Sequence, residues 1–437
     1  MIAIQKGLTM RFGVNYTPSN GWFHSWLDPD WQSVDRDLKQ IAELGMDHVR
    51  IFPVWPYLQP NRTWINRKGI EDVRRMVHIA GEHGLDAYVD VFQGHLSSFD
   101  FLPSWLVTWH TGNMFTDPDA VAAECELIRV LGGELSQETA FRGITVGNEV
   151  NQLSDRPHPT KMVATADQIG AWLDGTLAAA KSAGGEALYS VNDGVWFLDD
   201  HPFTPVQSGT KGDMTTIHAW VFNGTAQGYG ATSEECAAYA LYLAELAKAF
   251  ADDPARPVWL QEVGAPENVL DVADTPEFCR RTVLNALDCP NLWGITWWCS
   301  HDVAASMSDF PEFEHALGLF DEHGELKPIG RMFGELAGEY RNHAAPEPRS
   351  TAVVVDVDET GNPVSRSACG PGGSVCDLWM RAHCAGQRPT IVTSDVVKDP
   401  ARLAALGVTT LIRDEHPHPA RYYTAVSDSS FEDIDGE

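Results

Sequence analysis

The stretch DLKQIAELGMDHVRIFPVW, residues 37–55, decides how the whole chain is read, because it contains one complete change of period. Leu38, Ile41, Ala42 and Leu44 fall on one helical face, Gly45 is placed for the left-handed cap that ends the helix, and HVRIF starts a strand. Residues 73–92, VRRMVHIAGEHGLDAYVDVF, repeat the order helix, glycine, strand, with Gly84 at the cap.

Outward from this unit the pattern recurs between residues 11 and 343. It predicts strands at 11–16, 48–54, 86–92, 142–148, 187–192, 214–219, 257–263 and 292–299, and helices at 119–132, 166–183, 234–251 and 275–288. KPIGRMFGELAGEY supplies a further helix after the eighth strand. Residues 194–213 have little periodicity, so the fifth helix is short or absent. The fold class is therefore α/β, and alternation in this number favours a closed parallel (β/α)8 TIM barrel over an open doubly wound sheet. Chemistry in such a barrel sits where strands end.

RNHAAPEPRS, residues 341–350, breaks the pattern with two prolines and no apolar face. After it, TAVVVDVD, PTIVTSD and VTTLI read as strands separated by helices around 375–385 and 399–406. The expected domains are an N-terminal extension at 1–10, the barrel at 11–343 and a small α/β accessory domain at 344–437 that ends in the acidic tail DSSFEDIDGE. GPGGS, residues 370–374, lacks a P-loop lysine and reads as a turn with Ser374 as helix N-cap. Met10 is an alternative start of the chain.

A net charge of −30, from 31 basic against 61 acidic side chains, repels phosphate backbones and anionic membranes, so nucleic acid is excluded as a partner. No apolar run approaches the roughly 18 to 20 residues of a membrane helix, and no secretory signal precedes the first strand; the expected location is cytoplasmic. Eight cysteines without a C-x-x-C pair suit reduced thiols, and neither spacing among Cys369, Cys376 and Cys384 matches a zinc site. There is no nucleophile elbow, zinc-protease helix, dinucleotide fingerprint or P-loop, so no cofactor and no metal are expected.

In GITVGNEVNQ, residues 143–152, an apolar strand ends on Asn148 and Glu149; in PVWLQEVGA the seventh strand ends on Glu262. Two carboxylates facing one cavity suit glycosidic cleavage, where one protonates the leaving oxygen and the other attacks or activates water. With these residues the barrel resembles the clan A retaining glycoside hydrolases, most nearly glycoside hydrolase family 5. That resemblance implies that Glu149 is the general acid/base, Glu262 the nucleophile, and Asn148 a ligand of the sugar 2-hydroxyl. It further implies that Arg50 in HVRIF holds the nucleophile ionised, and that His95 in VFQGHLS, His218 and Trp220 in TTIHAW, and Trp297 in GITWWCSHD contact substrate. Trp220 stands where the family has tyrosine, and Trp297 is favoured over Trp298 as the floor beneath the sugar.

The opening MRFGVNYTPSNGWFHSWLDPDW and LQPNRT look most like an intracellular β-mannosidase branch of that family, which implies an exo-acting enzyme releasing mannose from short oligosaccharides such as Manβ1-4GlcNAc. A β-glucosidase, an endo-mannanase or a transglycosylase would use the same acid pair, and a silent sugar-binding barrel would use neither acid. Of the 15 tryptophans, Trp22, Trp26, Trp55, Trp64, Trp105, Trp109 and Trp196 fall in or near loops after strands, as a carbohydrate cleft would place them. The accessory domain is expected to hold subunits of a homo-oligomer together or to wall the cleft.

Overall fold

A computed structural model of the chain describes residues 9–154, 158, 161–344 and 346–424; residues 1–8 of the expected extension and the acidic tail at 428–437 lie outside the described residues. Eight parallel strands, β1 (Arg11–Asn15), β2 (His48–Ile51), β3 (Asp86–Asp90), β4 (Phe141–Thr145), β5 (Glu186–Leu188), β6 (Thr215–Ala219), β7 (Val258–Val263) and β8 (Leu292–Trp297), run in the order β5-β4-β3-β2-β1-β8-β7-β6. The β5–β6 seam is spanned by single hydrogen bonds: Asp213 N donates to Ala187 O (2.9 Å) and Thr216 Oγ1 to Tyr189 O (2.7 Å). The strands thus curl into a nearly closed barrel, as their alternation with helices predicts.

The opening stretch folds as read. Helix Trp31–Glu43 starts where the Asp30 side chain accepts from the backbone of Gln32 and Ser33, buries Val34, Leu38 and Ile41, and ends at Gly45, whose φ of +90° a side chain would strain. Downstream, the segment between β5 and β6 carries two short helices, Gly194–Phe197 and Pro205–Thr210, in keeping with a short or absent fifth helix, and one difference appears: residues 234–251 split into Glu234–Ala237 and Tyr239–Lys248.

The barrel's N-terminal end is plugged by rings. Tyr88 and Trp259 pack at 4.7 Å, Trp259 and Trp293 at 4.7 Å, and His48 stands among them with Nε2 2.7 Å from Thr296 Oγ1. A Cβ on Gly13 would lie 2.3 Å from the His48 ring, so only glycine fits beneath it. With that end filled, buried polar side chains converge at the opposite one.

Strands β9 (Thr351–Val355), β10 (Thr390–Thr393) and β11 (Thr410–Ile412) form a second parallel sheet in the order β10-β9-β11. Gly373, not Ser374, caps helix Ser374–Cys384. This domain is docked rather than tethered. Arg366 Nη1 donates to the carbonyls of His201 and Phe203 (2.9 Å each), Tyr229 OH donates to Asp377 (2.6 Å), and Cys369, Trp379 and Met380 share one apolar core with the barrel. In the proline-rich joint, buried Arg349 pairs with Asp288 (2.7 Å) and lies 3.5 Å from the fully buried Glu245. A chain stopped at residue 343 would expose that core face and leave Glu245 with one cation fewer. The expected result is loss of monodisperse protein in gel filtration, or a melting temperature lower by about 10 °C; a stable fragment melting with the full chain would refute the docking.

Candidate active site

Beyond β4 the backbone continues beside the third strand's extension, Asn148 N donating to Phe92 O (2.7 Å), and then turns at Glu149, whose φ is +44°. A non-glycine residue in the left-handed region costs about 1 to 2 kcal/mol. Here that conformation turns the acid over the barrel mouth, with its N–H donated to Ser190 Oγ (3.2 Å). Gln152, in the turn that follows, donates to Glu149 Oε2 (2.6 Å). Asn151 is buried and ties this turn to the loop after β5, donating to Asn192 Oδ1 (2.6 Å) and accepting from Asn192 N (3.0 Å).

Glu262 arrives from β7. Its Oε1 accepts from Arg50 Nη1 (3.0 Å) and its Oε2 from the Trp220 indole (3.3 Å). Arg50 is fully buried and also binds Asp90 Oδ1 (2.8 Å), Asn15 Oδ1 (2.7 Å) and Asn148 Oδ1 (2.9 Å). One cation thus serves two buried carboxylates, Asp90 and Glu262. His218 Nδ1 stands between the two candidate catalytic acids, 2.6 Å from Glu149 Oε1 and 3.2 Å from Glu262 Oε2. The three donor atoms of Glu149, His218 and Glu262 lie within 4.8 Å of one another. This is the one set among the described residues spaced to share a metal ion, and it is already joined through the imidazole.

Burial sets the protonation of the group. It pushes the carboxyl of Glu149 up, against the opposing influence of His95 and Gln152. Burial also pushes Glu262 up, with the nearby Glu149 adding to it and His218 and Arg50 pulling it back. It pushes His218 down, so the imidazole is neutral near neutral pH.

The acids open on a cavity lined also by Asn148, His95, Trp220, Trp298 and Glu314. Seven of the eight expected site residues therefore meet at one place: His95, Asn148, Glu149, Trp220 and Glu262 line the cavity, and Arg50 and His218 contact the two acids. The exception is Trp297. It is fully buried and packs on Phe333 of helix Pro328–Tyr340 at 5.3 Å, outside the barrel, while Trp298 takes the cavity. Thr296 already points inward onto His48 and Trp259, and Trp298 shares its parity. The loop tryptophans depart from expectation too. Trp22, Trp26, Trp55 and Trp196 are core, Trp22 packing on Phe310 at 4.6 Å, and Trp109 is almost wholly exposed; none lines the cavity.

Asp90 and Asn15, which hold Arg50, were missed by the sequence reading. Asp90 carried a usable signal, being an acid that ends an apolar strand, β3. Asn223, on the cavity wall, donates to Asp193 Oδ2 (3.0 Å), whose Oδ1 accepts from Tyr423 OH (3.0 Å). Burial pushes Asp193 up to about 7, and the C-terminal segment thereby backs the cavity wall. No spacing in the sequence announces that contact, because the two ends of it are 230 residues apart.

No protein-family profile matches the chain, and no curated protein sequence does. Solved structures do. A GH5_18 glutamate-to-alanine variant from Bifidobacterium longum subsp. longum, in complex with Manβ1-4GlcNAc, is 75% identical over 97% of this chain and 100% of its own, with a TM-score of 0.96. A GH5_18 from Bifidobacterium longum subsp. infantis is 68% identical over 96% and 100%, with a TM-score of 0.95. A GH5_18 variant from Streptomyces cattleya, also in complex with Manβ1-4GlcNAc, is 50% identical over 92% and 98%, with a TM-score of 0.91.

Proposed function

Because the chain belongs to glycoside hydrolase family 5, subfamily 18, we propose that it is a retaining β-mannosidase that releases mannose from Manβ1-4GlcNAc, with Glu262 as nucleophile and Glu149 as general acid/base. The observation that carries the mechanism is the separation of the two acids. Their facing oxygens lie within 4.8 Å, and retaining enzymes hold their carboxyl groups about 5 to 5.5 Å apart, inverting ones about 6.5 to 9.5 Å.

In the first step Glu262 attacks C1 of mannose as the C1–O4 bond to GlcNAc breaks, and Glu149 gives its proton to the departing oxygen. In the second, Glu149 takes a proton from water, water attacks C1, and Glu262 leaves. Two opposite charge states are therefore needed at rest, and the surroundings favour both. Arg50 and the indole N–H of Trp220 stabilise an ionised Glu262; burial without a cation of its own keeps the proton on Glu149. Neutral His218, with its N–H on Gln261 Oε1 (3.2 Å), presents Nδ1 as an acceptor for that proton. Asn148 spends its Oδ1 on Arg50 and one N–H on His95 O (2.7 Å), which leaves the second N–H for the sugar 2-hydroxyl.

Proton NMR of the first-formed product tests the mechanism. β-Mannose is expected, and α-mannose would sink the double displacement. A panel of β-linked disaccharides tests the substrate; cleavage of glucosides with mannosides ignored would overturn it. Activity requires ionised Glu262, so it is lost as pH falls through that group's pKa, and protonated Glu149, so it is lost as pH rises through the raised pKa of the acid. Glu149→Ala should lower kcat/KM on the disaccharide by about 1,000-fold and abolish the alkaline limb. Azide should restore turnover of aryl mannosides. An unchanged alkaline limb would assign that limb to another group.

A further inference from the structure

The cavity holds a third carboxylate that the double displacement does not use. Glu314 lies on the single 3-10 turn Glu312–Ala316, in the loop after β8, and lines the cavity together with Glu149 and Glu262. It is 7% exposed. Two elements fix it from opposite sides: its turn is pinned by His315 Nδ1 donating to Val303 O (2.9 Å), and Ser97 Oγ donates to its Oε2 (3.0 Å). Ser97 is itself held in the left-handed region, φ +50°, in the loop after β3.

The position relative to the reacting pair decides which sugar it meets. Asn148, assigned to the 2-hydroxyl of mannose, is tied to His95 O, and Ser97 is two residues further along that same loop. Glu314 therefore stands on the flank where the mannose ring sits. Asn192 and Asn223, from the loops after β5 and β6, line the cavity as well. Besides Ser97, the side chain of Trp298, which also lines the cavity, hydrogen-bonds this carboxyl, so Glu314 is held in place at the cavity wall by two neighbours rather than left to swing. Burial pushes Glu314 up to about 7, opposed by Ser97, and the proximity of Glu262 adds to the effect.

Resting on the mannosidase reading above, we infer that Glu314 is a specificity-determining residue that hydrogen-bonds a hydroxyl on the far side of the mannose ring, at C3, C4 or C6. A hydroxyl already joined to another sugar has no O–H to give, so where the contacted hydroxyl is the one through which a longer chain would be joined, the same contact selects a terminal residue.

The test pairs hydroxyl deletion with side-chain deletion, using 4-nitrophenyl β-mannoside and its 3-, 4- and 6-deoxy analogues. The wild-type enzyme should lose about 100-fold in kcat/KM on one analogue. Glu314→Ala should lose a similar factor on the parent mannoside yet treat that analogue and the parent alike to within about twofold, and Glu314→Gln should fall between. Equal penalties for the deoxy analogue in wild type and Glu314→Ala would overturn the inference. So would a wild-type enzyme indifferent to all three deletions, a result that needs no variant to fold. Should the Ala variant not fold, the isosteric Gln variant carries the same cycle, with a reduced deoxy penalty expected and an unreduced one overturning the idea. If wild type ignores the parent mannoside, the function reading fails instead, and the deletion series on whichever glycoside is cut still decides the role of Glu314.

Discussion

Glu262→Gln will abolish turnover of Manβ1-4GlcNAc, by a factor on the order of 10^5, while the protein still folds and binds the disaccharide. The amide keeps the size of the carboxylate and can still accept from the Trp220 indole, so the cavity keeps its shape. What it cannot do is form the ester bond to C1 or oppose the positive charge that develops there. The variant also relieves Arg50 of one of its two carboxylate partners, which leaves Asp90 as the paired acid. Calorimetry should find disaccharide affinity within about tenfold of the wild-type value, since ground-state contacts are untouched. Single-turnover rates should show no burst. Retained activity above about 1% would remove Glu262 from the nucleophile's place and leave the barrel as a binding protein or a different enzyme.

Arg50→Met should damage stability and catalysis together. The guanidinium has no exposure, and its donors reach Asp90, Glu262, Asn15 and Asn148 at once. Removing it strands two carboxylates in a dry interior, which costs about 3 to 5 kcal/mol when one partner of a buried pair is lost. The chain relieves the cost by taking up protons. Since Arg50 pulls the Glu262 carboxyl down, its loss lets that pKa climb, and activity then disappears at a higher pH as the solution is acidified. A thermal melt and a pH profile of kcat/KM read the two effects separately. Arg50→Lys should recover little, because one ammonium cannot span four acceptors in a fixed fork. An acid limb that stays in place would show that Arg50 serves only to hold the strands.

Some of the site was legible because strand ends can be located by period alone. Glu149 and Glu262 stand where apolar runs that read as buried strands stop on an acid, and the same rule applied to DAYVD finds Asp90. Trp297 was misplaced for a physical reason. Alternation guarantees that adjacent tryptophans face opposite ways, but which one faces in depends on parity, and parity is set by register with β7, where the pairing shifts between Leu260 and Val263. Glu314 gave no signal at all. It lies in a loop without periodicity, and its direction is fixed by partners distant in sequence, among them Ser97, more than two hundred residues earlier.

The sequence by itself determined the eight-strand barrel, the docked three-strand domain's elements and the two acids at the mouth. Those depend on local period, caps and turn residues, which act over a few neighbours and survive without knowledge of distant contacts. Only the tertiary structure decided that the acids approach within 4.8 Å, that one arginine is shared between Asp90 and Glu262, and that Tyr423 closes on Asp193. Each of these is a meeting of side chains from separate strands or domains. Barrel closure and packing fix such meetings, and burial then turns their geometry into charge states that a linear reading does not contain.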